Sequence, residues 1–323
     1  MTLARLLAIP VLCLAPVLAL AAGFAFIDIP ADRDGPALRG AVWSPCATPA
    51  SRIELGPIAI EGSRDCPLAR GRWPLIVMSH GSGGSFLGHH DTAATLADAG
   101  FVVASISHPG DNVQDLSHQS HLSTFATRPV DMRRLVDYML GAWPDRGMLD
   151  ATKIGFFGFS RGGYTGLIAL GALPNWGLRT DLCPPGSQYP LCEEIHRREW
   201  PPTPSRDPRI LAAVIVDPLS VFDAAGLRAV TAPIQLWASE HGGDGVTPQS
   251  VAEVRRDLPL PPEWHVATKA GHFAFLAPCS AALVRAAPTV CEDGAGFDRL
   301  AFHVAFNAEV AAFFRRTLSA AAP

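Results

Sequence analysis

Short apolar runs alternate along the chain with stretches whose apolar residues recur at helical spacing. "FAFIDIP" and "LRGAVWSP" read as two opening strands, and "PLIVMSHG" (74–81) reads as a buried strand that ends in glycine. "HHDTAATLADAG" follows as a helix closed by Gly100, and "FVVASISHPG" as the next strand. "RPVDMRRLVDYML" carries Val130, Leu135, Tyr138 and Met139 at helical spacing. "KIGFFGFS" is a strand, and "RGGYTGLIALGAL" opens at once as a helix. "ILAAVIVDP", "PIQLWASE" and "EWHVATKAGH" supply three further strands before a final helix, "FDRLAFHVAFNAEVAAFFRRTL". The alternation predicts an α/β protein with helices on both faces of its sheet.

Residues 174–208 interrupt this rhythm. The stretch is rich in proline and holds Trp176, Trp200, Cys183 and Cys192. It is expected either as a lid over a pocket or as an inert surface insertion, the first because long loops in compact domains are often functional. At the other end, Arg5, the apolar "LLAIPVLCLAPVLAL" and the small residues Ala19–Ala21 read as an export signal over residues 1–22. That leaves a single domain over 23–323 and predicts a periplasmic or secreted protein with no membrane span after cleavage. The chain is 48% hydrophobic and 17% charged, which suits a well-buried globule, and its net charge of -4 gives no basic footprint for nucleic acid. Removal of Cys13 with the signal leaves six cysteines, an even number in an exported chain. Pairing of sequence neighbours predicts Cys46–Cys66, Cys183–Cys192 and Cys279–Cys291; buried free thiols are the alternative.

Candidate chemistry centres on "GFSRG" (158–162). A G-x-S-x-G pattern alone is a weak signal, but here it lies where an apolar strand meets a helix. Such a turn is sharp enough to strain its serine, and side chains two residues to either side would clash, hence Gly158 and Gly162. The turn would hold the Ser160 hydroxyl clear of the backbone and aim the Arg161 N–H, at a helix N-terminus, at a developing oxyanion. "SHGSGG" (79–84), after an upstream strand, offers the Ser82 N–H as a second donor; the alternative is an ordinary glycine-rich turn.

A serine hydroxyl needs a base. Of His196, His241, His265, His272 and His303, His272 stands out on a loop after the last predicted strand, whereas His265 lies inside that strand and His303 inside the last helix. Three carboxylates compete to orient it: Asp244 in "EHGGDGVTP", which leads, Asp217 at the end of "VIVDP", and Glu240. Phe159, Tyr164, Trp176 and Trp200 are candidates for an apolar pocket or for core. The Arg161 side chain would meet an anionic substrate or face solvent.

The order strand–"SHGSGG", strand–"GFSRGG", strand–"SEHGGDGVTP", strand–"AGHFAFL", together with "GHHD" and "SHPGDN", resembles the α/β-hydrolase superfamily. The nearest resemblance is to its exported branch, like dienelactone hydrolases and platelet-activating-factor acetylhydrolases, over residues 24–318. It implies a mostly parallel eight-stranded sheet and ester hydrolysis without cofactor or metal. It implies Ser160 as nucleophile, His272 as base, and the Ser82 and Arg161 N–H groups as oxyanion hole. The dienelactone type carries cysteine where this chain has serine. In the acetylhydrolase type the acid follows the earlier strand, which selects Asp217. The partner implied is a small-molecule or lipid-like ester. Two other classes compete. One is a metal-dependent hydrolase using "GHHD" (88–91), "SHPGD" (107–111) and "HQSH" (118–121), although no H-E-x-x-H occurs. The other is a non-catalytic binding protein on the same fold. An acyltransferase would share the same triad.

Overall fold

The computed structural model describes residues 21–178, 183, 186–202 and 206–319. Ten strands make one sheet: β1 (Ala21–Ile29), β2 (Leu38–Cys46), β3 (Ser51–Leu55), β4 (Ile58–Arg64), β5 (Trp73–Ser79), β6 (Val102–Ser107), β7 (Leu149–Phe159), β8 (Ile210–Val216), β9 (Ile234–Ser239) and β10 (Glu263–Ala267). Their order is β10-β9-β8-β7-β5-β6-β2-β1-β4-β3. From β10 to β6 all neighbours are parallel; β2 and β1 add antiparallel strands, β4 pairs parallel with β1, and β3 closes the edge antiparallel to β4. The sheet is therefore mixed and larger than the eight strands expected. The unforeseen strands are the hairpin β3–β4. Its sequences, "SRIEL" and "IAIEGSR", interleave apolar with charged residues, and Ile53 and Ile60 are its buried hydrophobics. An edge hairpin wet on one face lacks the continuous apolar run that marks the inner strands.

Inner strands are buried on both faces, so alternate residues enter different cores. Leu75 and Val77 of β5 face one cluster, which includes Leu135 and Val136 of α2 (Ser123–Gly141) and Leu167 of α3 (Arg161–Ala169). Ile76 and Met78 face the other, with Leu96 of α1 (His90–Asp98) and Phe306, Val310 and Phe314 of the C-terminal helix (Arg299–Ser319). Helix α2 starts earlier than its apolar pattern suggested and carries Pro129 inside it.

The insertion, expected as a lid or as an inert surface feature, docks beside α2. Its helix α4 (Pro190–Arg197) packs on the start of α2, where the Glu194 carboxylate accepts from the Leu122 N–H at 2.6 Å and faces His121 Nδ1 at 2.6 Å. Trp176 meets Phe125 edge-on. The described insertion residues line a cavity of their own, of about 600 Å³, with Trp176, His196, Arg198 and Trp200 in its wall. None of them lines the cavity that holds Ser160. Residues 179–182, 184–185 and 203–205 lie outside the described residues.

The three cysteine pairs join as neighbours in sequence: Cys46–Cys66, Cys183–Cys192 and Cys279–Cys291. Such crosslinks suit an oxidising compartment. The export signal read over 1–22 lies outside the described residues except for Ala21 and Ala22, which begin β1 opposite Cys46 and Pro45. Among the described residues no helix is long and apolar enough to cross a membrane.

Candidate active site

Strand β7 ends at Phe159 and α3 begins at Arg161, so a single residue, Ser160, makes the turn between them. It does so at φ 57° and ψ -118°, a left-handed conformation unusual for a residue with a side chain. The steric reading of the flanking glycines holds in detail. A Cβ on Gly158 would stand 2.2 Å from the Gly162 carbonyl oxygen, and one on Gly162 would stand 2.0 Å from that of Ser79. Both obstacles are backbone and cannot rotate aside. Ser160 is also tied to the neighbouring strand: its N–H donates to the Val216 carbonyl at 2.9 Å, and its carbonyl accepts from the Leu219 N–H at 3.1 Å.

Sheet register then decides which carboxylate meets the histidine. Phe159 of β7 pairs with Val216 of β8, so the next residues, Ser160 and Asp217, emerge side by side. The Asp217 carboxylate is fully buried. One oxygen accepts from the Ser239 N–H at 2.9 Å; the other accepts from Ser239 Oγ at 2.7 Å and lies 2.6 Å from His272 Nδ1. His272 begins a 3-10 turn (His272–Phe275) after β10, and its ring stacks on Phe159 with centroids 4.6 Å apart. Its Nε2 is buried and has no hydrogen-bond partner among the described residues. Asp244, the leading acid on sequence grounds, is not in this contact: it is exposed on the turn after β9 and borders the cavity. Four residues separate it from the strand end, among them Gly242 and Gly243, both at positive φ. Glu240 is exposed too, and its carboxylate accepts from the Lys269 N–H at 2.5 Å. The sequence signal for Asp217 was its place directly at a strand end; what the sequence did not disclose was Ser239, two residues beyond the β9 partner of Val216, holding that carboxylate from the next strand.

The other candidate histidines lie apart from this contact, with His241 exposed on the turn after β9. His265 stacks on Trp237 at 4.2 Å, His196 faces the Cys183 carbonyl at 3.2 Å, and His303 lies between Asp91 and the Ala274 carbonyl, at 2.6 and 2.9 Å. The His/Asp-rich loops disperse in the same way. His89 faces the Phe275 carbonyl, His108 pairs with Asp131, and His121 pairs with Glu194. Among the described residues no three His, Cys, Asp or Glu side chains are grouped to hold a metal ion.

The loop after β5 approaches the elbow closely; a Cβ on Gly81 would lie 3.3 Å from that of Ser160. The N–H groups of Ser82 and Arg161 have no acceptor among the described residues. Buried His80 holds this loop from within. The Gly81 carbonyl can only accept and the His108 N–H can only donate, so Nδ1 carries the proton (2.6 Å to Gly81 O) and Nε2 the lone pair (3.1 Å). Burial, reinforced by the Arg128 guanidinium, pushes the His80 imidazole down to about 3, and burial pushes His89 down to about 4. His108 is held well below its ordinary value by burial and Arg128. The Arg161 side chain does not face solvent: it is buried against Asp111 at 2.9 Å.

These neutral histidines set a pH dependence. A histidine whose folded pKa is depressed binds its proton only on unfolding, so its stabilising contribution is present above about pH 6.5 and is lost as pH falls below it. His80, His89 and His108 act in that direction; Asp131, raised to about 7 by burial, opposes them. A net uptake of about two protons corresponds to roughly 3 kcal/mol of lost stability per pH unit between pH 6 and 5. Urea unfolding at pH 7, 6 and 5 reads this; a midpoint constant over that range would show that these groups titrate as they do in the unfolded chain.

The cavity around Ser160 measures about 820 Å³ and is walled largely by apolar side chains, among them Phe26, Leu55, Ile58, Phe86, Phe273 and Leu276. Phe159 is in its lining, whereas Tyr164 is core and Trp176 and Trp200 belong to the insertion.

No family model matches the chain, and no curated protein does. The same fold, a large mixed sheet flanked by helices, is found among solved structures. The structure in question is a ferulic acid esterase from Streptomyces cinnamoneus, similar to this chain at a TM-score of 0.62 and 19% identity over 94% of this chain and 92% of that one.

Proposed function

We propose that the protein is an exported serine hydrolase that cleaves carboxylic esters through an acyl-enzyme. The observation that carries this reading is the 2.6 Å contact of His272 Nδ1 with buried Asp217, beside a strained Ser160 on a strand-to-helix turn. Asp217 is the acid that the acetylhydrolase resemblance selects. The similar structure's activity as an esterase points the same way.

His272 Nε2, which has no hydrogen-bond partner among the described residues, takes the Ser160 proton as Oγ attacks the ester carbonyl. Asp217 holds the ring so that Nε2 faces outward and stabilises the imidazolium that forms. The Ser82 and Arg161 N–H groups receive the oxyanion. His272 returns the proton to the leaving alcohol, and water repeats the cycle on the acyl-enzyme. The substrate is a small or lipid-like ester with an apolar acyl or aromatic part, since the cavity is roomy and mostly apolar. No role for nucleic acid, metal or cofactor enters this scheme.

A fluorophosphonate probe tests the reading. It should form one adduct on the peptide containing Ser160 and abolish hydrolysis of p-nitrophenyl esters in step, and octanoate should be turned over with a kcat/KM at least equal to that of acetate. Turnover that survives complete labelling, or labelling elsewhere, would sink it.

A further inference from the structure

Asp111, in "SHPGDN", is fully buried, and its carboxylate is the meeting point of two chain segments. On one side it accepts from the Gly83 N–H at 2.9 Å and from Ser82 Oγ at 3.4 Å, both on the loop after β5. On the other it accepts from Arg161 Nη1 at 2.9 Å. A second guanidinium, Arg128 of α2, donates to it at 2.6 Å and also to the His80 carbonyl of the same loop. Gln119 completes the link: its carbonyl accepts from Arg161 Nη1 at 2.8 Å, and its side-chain amide donates to Ser82 Oγ at 3.0 Å. Arg161 lies over the Phe125 ring at 4.7 Å, which further limits its freedom.

Resting on the ester-hydrolase reading above, we propose that Asp111 is a positioning residue that sets both backbone donors of the oxyanion hole in one geometry, through Gly83 and Ser82 on one side and Arg161 on the other. The two donors come from segments far apart in sequence, and they can serve one oxyanion only if their separation is fixed. Asp111 bonds the backbone next to the first donor and the side chain of the second, so displacement of either segment strains the same carboxylate. Two guanidinium groups against one carboxylate also leave a positive excess behind the loop, of the sign that favours a developing oxyanion. Burial would raise the Asp111 carboxyl, but Arg128 and Arg161 outweigh it and keep it ionised.

The test measures kcat and KM for p-nitrophenyl butyrate in Asp111→Asn, Arg161→Met and the double variant, with kcat normalised to the Ser160 sites titrated by fluorophosphonate. A misplaced donor costs on the order of 10- to 100-fold. Asp111→Asn should therefore lower normalised kcat by roughly 30-fold with KM within about 2-fold of wild type. Arg161→Met should lower it by about 10-fold, and the double variant should be no worse than Asp111→Asn alone, because both cut one linkage. If Asp111→Asn does not fold, Arg161→Met and Gln119→Ala read the same link from the other side. A purely structural role would lower Tm and the number of titratable sites but leave kcat per site at the wild-type value; that result overturns the proposal. Wild-type protein with no Ser160-dependent turnover would remove the ester-hydrolase reading and this proposal together. Full wild-type turnover with unchanged variants removes this one alone.

Discussion

Ser160→Ala leaves ester hydrolysis near background, a fall on the order of 10⁴- to 10⁶-fold in kcat. Alanine keeps the Cβ and the strained backbone, and Ser160 Oγ donates to nothing among the described residues, so the variant should fold with a Tm close to wild type. The oxyanion donors and the cavity survive the change. They are why a residue of roughly 10³-fold over the uncatalysed reaction is expected instead of none. Initial rates with p-nitrophenyl butyrate, beside a thermal melt, measure both quantities. Equal turnover by wild type and variant would move the chemistry away from the elbow, toward the dispersed histidines of residues 88–121.

Asp217→Asn carries the second large effect, a loss of about 10⁴-fold in kcat with little change in KM. The carboxylate accepts from the Ser239 N–H, from Ser239 Oγ and from the imidazole at once. An amide cannot accept at both ends. With its oxygen held by the Ser239 N–H, its NH₂ faces His272 Nδ1, which must then present a lone pair and shift its proton to Nε2. The base is thereby lost while the geometry stays nearly intact. Asp244→Asn is the matched control and should stay within about 3-fold of wild type, because Asp244 is exposed and outside the contact. The reverse outcome, a large loss at Asp244 and none at Asp217, would overturn the assignment of the acid.

Features set by local sterics were readable from sequence, and features set by register were not. Gly158 and Gly162 betray the elbow because their obstacles arise within one turn and its neighbouring strand. His272 was separable from its competitors because His265 and His303 lie inside a strand and a helix. Asp217 directly follows a strand and Asp244 lies five residues past one, a local difference that does not by itself say which carboxylate meets His272. The choice falls to the Phe159–Val216 register and to Ser239 on the strand beyond. The placement of the insertion was hidden for a similar reason. Composition marked 174–208 as an insertion, but its docking on the start of α2 depends on Glu194, Trp176 and partners distant in sequence. The hairpin β3–β4 carries only short apolar segments broken by charged residues at a sheet edge, so no long apolar run marks it. The Asp111 cluster joins residues 83, 111, 128 and 161, a grouping only the closed fold reveals.

The outer wall of the Ser160 cavity comes from β1, the β3–β4 hairpin and the segment around Leu276–Val290, and much of the remaining lining from the loops 80–88 and 107–115 beside Ser160. Both regions of the outer wall are stapled by their own disulfides, Cys46–Cys66 and Cys279–Cys291. On the proposed reading, that outer wall lies apart in sequence from Ser160, Asp217 and His272, whereas the loop 80–88 and Phe159 serve both the cavity and the site. Selection, or a library confined to residues 53–58 and 283–290, can redraw the range of esters admitted while the inner strands stay untouched.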